Sequence, residues 1–358
     1  MKKILLSSAA IALLAGAASA EVTWSGDAEI GYNDDWNDGA YYDAGLTVNL
    51  SQELNNGWTA SASLDIDLES DTDTTYSMGT VDSSDWVLTL SNDMFALSFG
   101  DVDTAYASFS GVSALYDNDF FAPFDEAADY AGTTAGILVT GSFGMVSGAL
   151  SYVVVDDGAG EGTNDGDLDG AQLYLGAEFG MVDAGLFYDD VLEMTVVNLG
   201  TTLAGAEFNF SVMDYFNETG YGIDVSYPVG PVTLGAYFAS VDSEEAYGVS
   251  AEYSDGPITV AAYYNEEFLG EAEYALEGAY DFGSGLVVTA GYIDGDSVSD
   301  NDYASYVVAE YDLGGGASFL ASYADANNAA AVSTDDIDTG LGGYELKSGA
   351  TLALSFSF

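Results

Sequence analysis

Residues 58–69 read WTASASLDIDLE, and two chemistries alternate through them without a break. Trp58, Ala60, Ala62, Leu64, Ile66 and Leu68 occupy one set of positions; Thr59, Ser61, Ser63, Asp65, Asp67 and Glu69 occupy the other. Successive side chains of an extended chain point to opposite faces, so this period of two predicts a β-strand with one apolar and one acidic face. The pattern extends outward in both directions. Upstream, Trp24, Ala28, Ile30 and Tyr32 alternate with Ser25, Asp27, Glu29 and Gly31, and Tyr42, Ala44, Leu46 and Val48 alternate with Asp43, Thr47 and Asn49. Downstream, runs of the same period recur at 86–92, 232–240, 258–264 and 286–292, while Val153-Val154-Val155 interrupts it.

Two kinds of connector separate the runs. Tight reversals are expected at Asn55-Asn56-Gly57, Asn92-Asp93, Phe143-Gly144, Phe179-Gly180, near Thr202, and at Pro228-Val229-Gly230-Pro231, Asp255-Gly256-Pro257, Gly283-Ser284-Gly285 and Gly314-Gly315-Gly316. Gly, Asn, Asp and Pro supply the turn dihedrals that a hairpin needs. Between these reversals lie mostly longer acidic stretches, such as 156–170 and 324–345. Short turns at one end and long polar loops at the other are the mark of a transmembrane antiparallel up-and-down β-barrel. Nine reversals join eighteen strands, and two terminal strands bring the candidates to twenty.

Composition removes most other functions. The chain of 358 residues carries 60 Asp plus Glu against 3 Lys plus Arg, no His and no Cys, for a formal charge of −57. Nucleic acid is excluded as a partner, because no basic stripe exists to displace phosphate counterions. Histidine-dependent nucleophiles, thiol chemistry, disulfides and imidazole or thiolate metal sites cannot be built; carboxylate-only chemistry, a glycosidase-type acid pair or a hard-cation site, survives, but with no histidine to serve as a base the protein is not expected to be an enzyme. With 48% hydrophobic and 13% aromatic residues the chain is nevertheless far from a disordered acidic polymer.

The first twenty residues, MKKILLSSAAIALLAGAASA, have Lys2 and Lys3, an apolar run from Ile4, and Ala18-Ser19-Ala20 as a small-residue cleavage site. This pattern predicts a signal peptide over 1–20 and a barrel over 21–358. Cleavage removes two of the three cations and no acid, which turns −57 into −59 and leaves Lys347 as the lone cation.

A soluble sandwich, or a surface-exposed structural or adhesive β-protein, would also alternate. Against these, the apolar positions hold Ala, Gly, Tyr and Trp rather than the aliphatic residues of a thick core, and Trp24, Tyr32, Tyr42, Trp58, Trp86, Tyr264 and Tyr292 recur near strand ends as an interfacial girdle would. The last residues, TLALSFSF over 351–358, alternate and stop on Phe358. A closing strand ending in Phe resembles the sorting signal read by the outer-membrane assembly machinery of Gram-negative bacteria.

Together with EVTWSGDAEIGY at 21–32, the FGD of Phe99 to Asp101 and YDLGGGASF at 311–319, these features resemble the general diffusion porins of Gram-negative outer membranes. The resemblance implies residence in the cell outer membrane among its lipid, a homotrimer of water-filled barrels, and a loop after the fifth strand folded inward as a constriction. It also implies passive diffusion of ions and small hydrophilic solutes. Porins of this family typically have sixteen strands, so the expected number is 16 to 20.

The segment matching that loop is 101–132, with Asp101, Asp103, Asp117, Asp119, Asp125, Glu126 and Asp129 as candidate constriction acids. Its interleaved Tyr106, Phe109, Leu115, Tyr116, Phe120, Phe121 and Phe124 would form an exposed apolar patch on a free surface loop, and packing inside a lumen hides them. Asp27, Glu29, Asp43, Asp65, Asp67 and Glu69 are the expected lumen lining. Family eyelets oppose the loop acids with arginines, and this mature chain has no Arg. An acid-only constriction is the arrangement of a cation-preferring channel. No cofactor is expected; Asp165, Asp167 and Asp169 match the first half of a calcium loop, but position twelve is Gly176, so at most weak Ca²⁺ or Mg²⁺ binding follows.

Overall fold

The stretch quoted first forms one strand of an antiparallel sheet that closes on itself. The computed structural model describes residues 20–34, 39–69, 81–82, 86–117, 123–126, 135–154, 170–216, 218–242, 244–268, 272–295, 303–326 and 337–358. The first ten strands of the ring are β1 Glu21–Asn33, β2 Gly39–Glu53, β3 Thr59–Glu69, β4 Trp86–Ser91, β5 Phe95–Gly100, β6 Gly136–Phe143, β7 Val146–Val153, β8 Ala171–Phe179, β9 Val182–Asp189 and β10 Met194–Leu203. The other ten are β11 Ala206–Tyr215, β12 Glu218–Val229, β13 Val232–Val241, β14 Glu244–Asp255, β15 Ile258–Glu266, β16 Ala272–Gly283, β17 Leu286–Gly295, β18 Tyr303–Gly314, β19 Ala317–Ala326 and β20 Gly349–Ser357.

Each strand pairs antiparallel with its sequence neighbours, and β1 pairs with β20 from Asp27↔Ser357 to Asn33↔Thr351. Phe358 sits just past this seam, where its N–H donates to Gly26 O at 2.8 Å. Closure leaves no unpaired edge, which is the condition for a sheet to cross lipid. Among the described residues the ring therefore has twenty strands rather than sixteen, and the less regular stretches around 195–199 and 206–212 are the full strands β10 and β11.

All nine expected reversals are present, the one placed near Thr202 falling at Ala204-Gly205, where both residues have positive φ. The opposite end departs from expectation. Only some of its connections are long; β9 to β10, β11 to β12 and β13 to β14 are joined by at most four residues.

Alternation identifies the two faces. Ser211 is 0% exposed between Phe210 at 44% and Val212 at 36%. An exposed aliphatic and aromatic outer band with polar groups buried inside is the reverse of a water-soluble sandwich and matches a barrel in lipid.

Candidate functional site

At Gly100 the chain leaves the wall. Gly100 has φ +127°, and a Cβ there would lie 2.0 Å from Trp86 O. Only glycine tolerates both conditions. Asp101 N–H then donates back to Trp86 O at 2.9 Å, so the Phe99-Gly100-Asp101 motif is the geometry that turns the chain inward.

The segment that follows needs partners for its backbone groups, since among its described residues it forms a 3₁₀ turn at Ala105–Ser108 and one α turn at Ser113–Tyr116 and no strand of the barrel sheet. The inner wall supplies them. Ala105 N–H donates to Ser151 Oγ at 2.8 Å, Tyr106 N–H to Gln172 Oε1 at 3.0 Å and Val112 N–H to Ser211 Oγ at 3.0 Å. Gln172 Nε2 donates in turn to Phe124 O at 3.0 Å and to Asp189 Oδ2 at 2.9 Å, which places a second point of the loop on the same side chain. The loop also closes on itself: Thr104 N–H donates to Asp125 O at 2.7 Å, and Asp103 and Glu126 form an antiparallel bridge.

Apolar packing completes the docking. Phe109, Val112, Leu115 and Tyr116 are buried against Phe187, Met194, Val196, Met213 and Val241 of β9 to β13. The Phe109 ring stacks on Phe187 with centroids 5.5 Å apart and meets Tyr116 edge-on at 5.1 Å. On β12, a Cβ at Gly222 would lie 2.8 Å from Val112 Cγ1, so the absent side chain makes room for the loop. Each fully buried side chain of this size contributes roughly 1.5–3 kcal/mol. The wall here is apolar inside and outside, which is why alternation is noisy around Val196 and Val197.

Asp103, Asp117, Asp125 and Glu126 are exposed on the docked loop, and Asp101 is half-buried at its root. Asp117 lines a cavity of about 560 Å³ together with Asp224, Asn265 and Glu267 from the wall side. The Tyr106 phenol is held above its ordinary range by burial first and then by its hydrogen bond to Asp117; burial and the Asp117 charge do the same to Tyr116. Both therefore remain neutral beside the acids. Asp119 and Asp129 lie outside the described residues, as do Asp165, Asp167 and Asp169. Among the described residues no group of three acidic side chains is arranged around a metal position.

The wall acids occupy a different arc. Glu29 accepts from Tyr41 Oη at 2.9 Å and from Ser355 Oγ at 2.6 Å. Asp43 stands in register with Glu29 and Glu69, Asp27 and Asp67 flank Gly45, and Asp65 pairs with Thr47. All six belong to β1–β3, whereas the loop docks on β7 to β14. The loop acids and the wall acids, treated in sequence as one lumen, are thus two separate groups.

The residues that hold the loop, Ser151, Gln172, Asp189, Asn198 and Ser211, were not among the expected site residues. Their trace in sequence is weak: Asn198, for example, is a polar inward position between Val197 and Leu199 on a mostly apolar strand.

The profile of a family described as Gram-negative porin matches residues 7–271. No curated protein matches the chain. Among solved structures, an engineered triple mutant of the Rhodopseudomonas blastica porin shares 19% identity at a TM-score of 0.48, covering 74% of this chain and 100% of its own. A second mutant of that porin shares 17% at a TM-score of 0.41, covering 95% of this chain and 100% of its own. A loop-deletion mutant of OmpT, an outer membrane protein of Vibrio cholerae, shares 13% at 0.41, covering 95% of this chain and 99% of its own.

Proposed function

The chain belongs to the Gram-negative porin family and is an outer-membrane channel, and from that premise we propose that it passes small hydrophilic solutes by passive diffusion with a preference for cations. The observation that carries the preference is the docked loop: Asp103, Asp117, Asp125 and Glu126 are exposed on it, and the chain contains no Arg to oppose them. Rings of carboxylates favour cations in a narrow passage. Screening acts over about 8 Å at physiological salt, so carboxylates on a narrowing loop still act across it while those on external loops are largely screened.

The remaining assignments follow the same premise. Cleavage after Ala20 is supported by β1 beginning at Glu21, which leaves no gap between the signal and the first strand. Assembly as a homotrimer follows the family; recognition by the assembly machinery would act on Phe358, which is exposed beyond β20 and stacks on Phe356 at 6.5 Å. Residues 101–132 take the role of the constriction, and diffusion through it requires no cofactor and no catalysis.

The test is the reversal potential of the purified protein in planar bilayers under a tenfold KCl gradient. Cation preference sets its sign, and a reversal potential of the opposite sign sinks the selectivity while leaving the channel intact.

A further inference from the structure

Residues 337–348, before β20, also pack against the inner face of the barrel. Within them, Ile337–Asp338 and Glu345–Leu346 pair as a small antiparallel hairpin separate from the barrel sheet. The hairpin is stapled by Thr339, whose N–H donates to Tyr344 O at 3.0 Å and whose Oγ1 accepts Tyr344 N–H at 2.9 Å.

Its partners show where it lies. Ile337 and Leu346 are buried with Tyr306, Val308 and Ala324, which face inward from β18 and β19. Gly340 N–H donates to Glu277 Oε1 at 2.9 Å, and Tyr306 Oη donates to the same oxygen. Tyr344 Oη donates to Glu310 Oε2 at 2.8 Å. Glu277 is 2% exposed, whereas its neighbour Leu276 on the outer face is 60% exposed, so the hairpin covers the lumen side of β16. A buried carboxylate with two donors is a specific anchor, because an acid left alone there would be costly.

Beside the hairpin, Lys347 lines a cavity of about 720 Å³ with Glu29, Tyr41, Asp43, Tyr344 and Thr351. Among the described residues the first docked loop packs on β7 to β14 and the hairpin on β16 to β19, while Asn33 Nδ2 of β1 donates to Ser348 O at 3.0 Å just beyond Lys347, so the segment reaches the edge of the acid-bearing strands β1–β3. Lys347 thus brings the lone cation of the mature chain to that acidic arc.

We propose that residues 337–348 are a second pore-narrowing element, docked through Glu277, Ile337 and Leu346, and that Lys347 is a specificity-determining residue set against Glu29 and Asp43. This rests on the channel reading above and adds to it a second place where permeating ions are selected. Lys347 supplies a counter-charge in the cavity that Glu29 and Asp43 also line, and its field moderates the cation preference that the carboxylates create.

The absence of cysteine makes the test clean. Lys347→Cys is recorded in planar bilayers before and after a negatively charged thiosulfonate reagent, with Asn56→Cys in the β2–β3 turn as control. Modification at 347 is expected to change single-channel conductance by roughly 1.5-fold and to shift the reversal potential toward cations, with no change at 56. Lys347→Glu is expected to shift the reversal potential in the same direction. Equal responses at 347 and 56 overturn the proposal. A second variant, Ile337→Asp with Leu346→Asp, separates docking from charge: it is expected to raise conductance while the heat-modifiable barrel band persists, and unchanged conductance in that variant also overturns the proposal. Failure of the unmodified protein to conduct at all overturns the channel reading itself, a result distinct from either of these.

Discussion

Ser211 Oγ sits between two chains of contact: it accepts Val112 N–H at 3.0 Å and donates to Asn198 Oδ1 at 2.9 Å. One wall hydroxyl therefore ties the docked loop to a neighbouring strand, and all three groups are buried. In Ser211→Ala the Val112 amide and the Asn198 carbonyl both lose their partner. Leaving such groups buried and unpaired costs about 1–3 kcal/mol. Amide exchange over residues 104–116 should accelerate by roughly tenfold or more while exchange in β11 backbone pairs stays slow. Equal rates in the two proteins would show that the hydroxyl is dispensable.

Gly100→Ala tests the turn into the lumen. The added Cβ would meet Trp86 O at 2.0 Å on a backbone with φ +127°. Each such strain costs on the order of 1–3 kcal/mol, and here a steric clash adds to it. The fraction of protein running as the compact band on unheated gels should fall, and normal yield of that band would contradict the account given of the Phe99-Gly100-Asp101 motif.

Neutralising the loop acids should weaken selectivity without blocking the pore. In the triple variant Asp117→Asn, Asp125→Asn, Glu126→Gln the cation-over-anion permeability ratio is expected to drop by roughly twofold or more. The effect should shrink in 1 M salt, where screening is down to about 3 Å. A ratio unchanged at low salt would place the selecting charges elsewhere.

Tyr344 provides a titration marker for the hairpin. Burial first, then its hydrogen bond to Glu310 and the Glu310 charge, push its phenol up to about 12, partly offset by Thr289. A raised phenol pKa means that the folded state holds the proton more tightly. The stabilisation is complete below the ordinary value of about 10 and disappears as pH rises from there to about 12. In an ultraviolet difference titration of wild type against Tyr344→Phe, the missing tyrosinate signal should appear near pH 12. A signal centred near 10 would mean that the hairpin is not docked as described.

Much of the barrel was legible because it is written in local chemistry. The nine reversals carry Gly, Asn, Asp or Pro at the turn itself, and the period of two in residues 58–69 needs no distant partner. The exceptions follow from packing. Around Met194 and Val196 the inner wall is apolar because Phe109 and Tyr116 lie on it, and alternation fades where both faces are covered by apolar groups. The three short external connections were missed because the acidic residues flanking them, such as Asp242 and Glu244, belong to a turn and a strand rather than to a loop.

The sequence by itself carried alternating strands ending in Phe358, sixteen to twenty of them, and an excess of carboxylates without any arginine. What holds the two inward segments was decided only in three dimensions. Ala105 meets Ser151, Tyr106 meets Gln172 and Val112 meets Ser211 across 46, 66 and 99 residues, and Gly340 meets Glu277 across 63. A strand's face is fixed by its own period, whereas a docking contact depends on which inward side chains the ring's closure brings under the loop. Lys347 could be counted in the sequence; that it lines one cavity with Glu29 and Asp43 follows from β20 closing on β1.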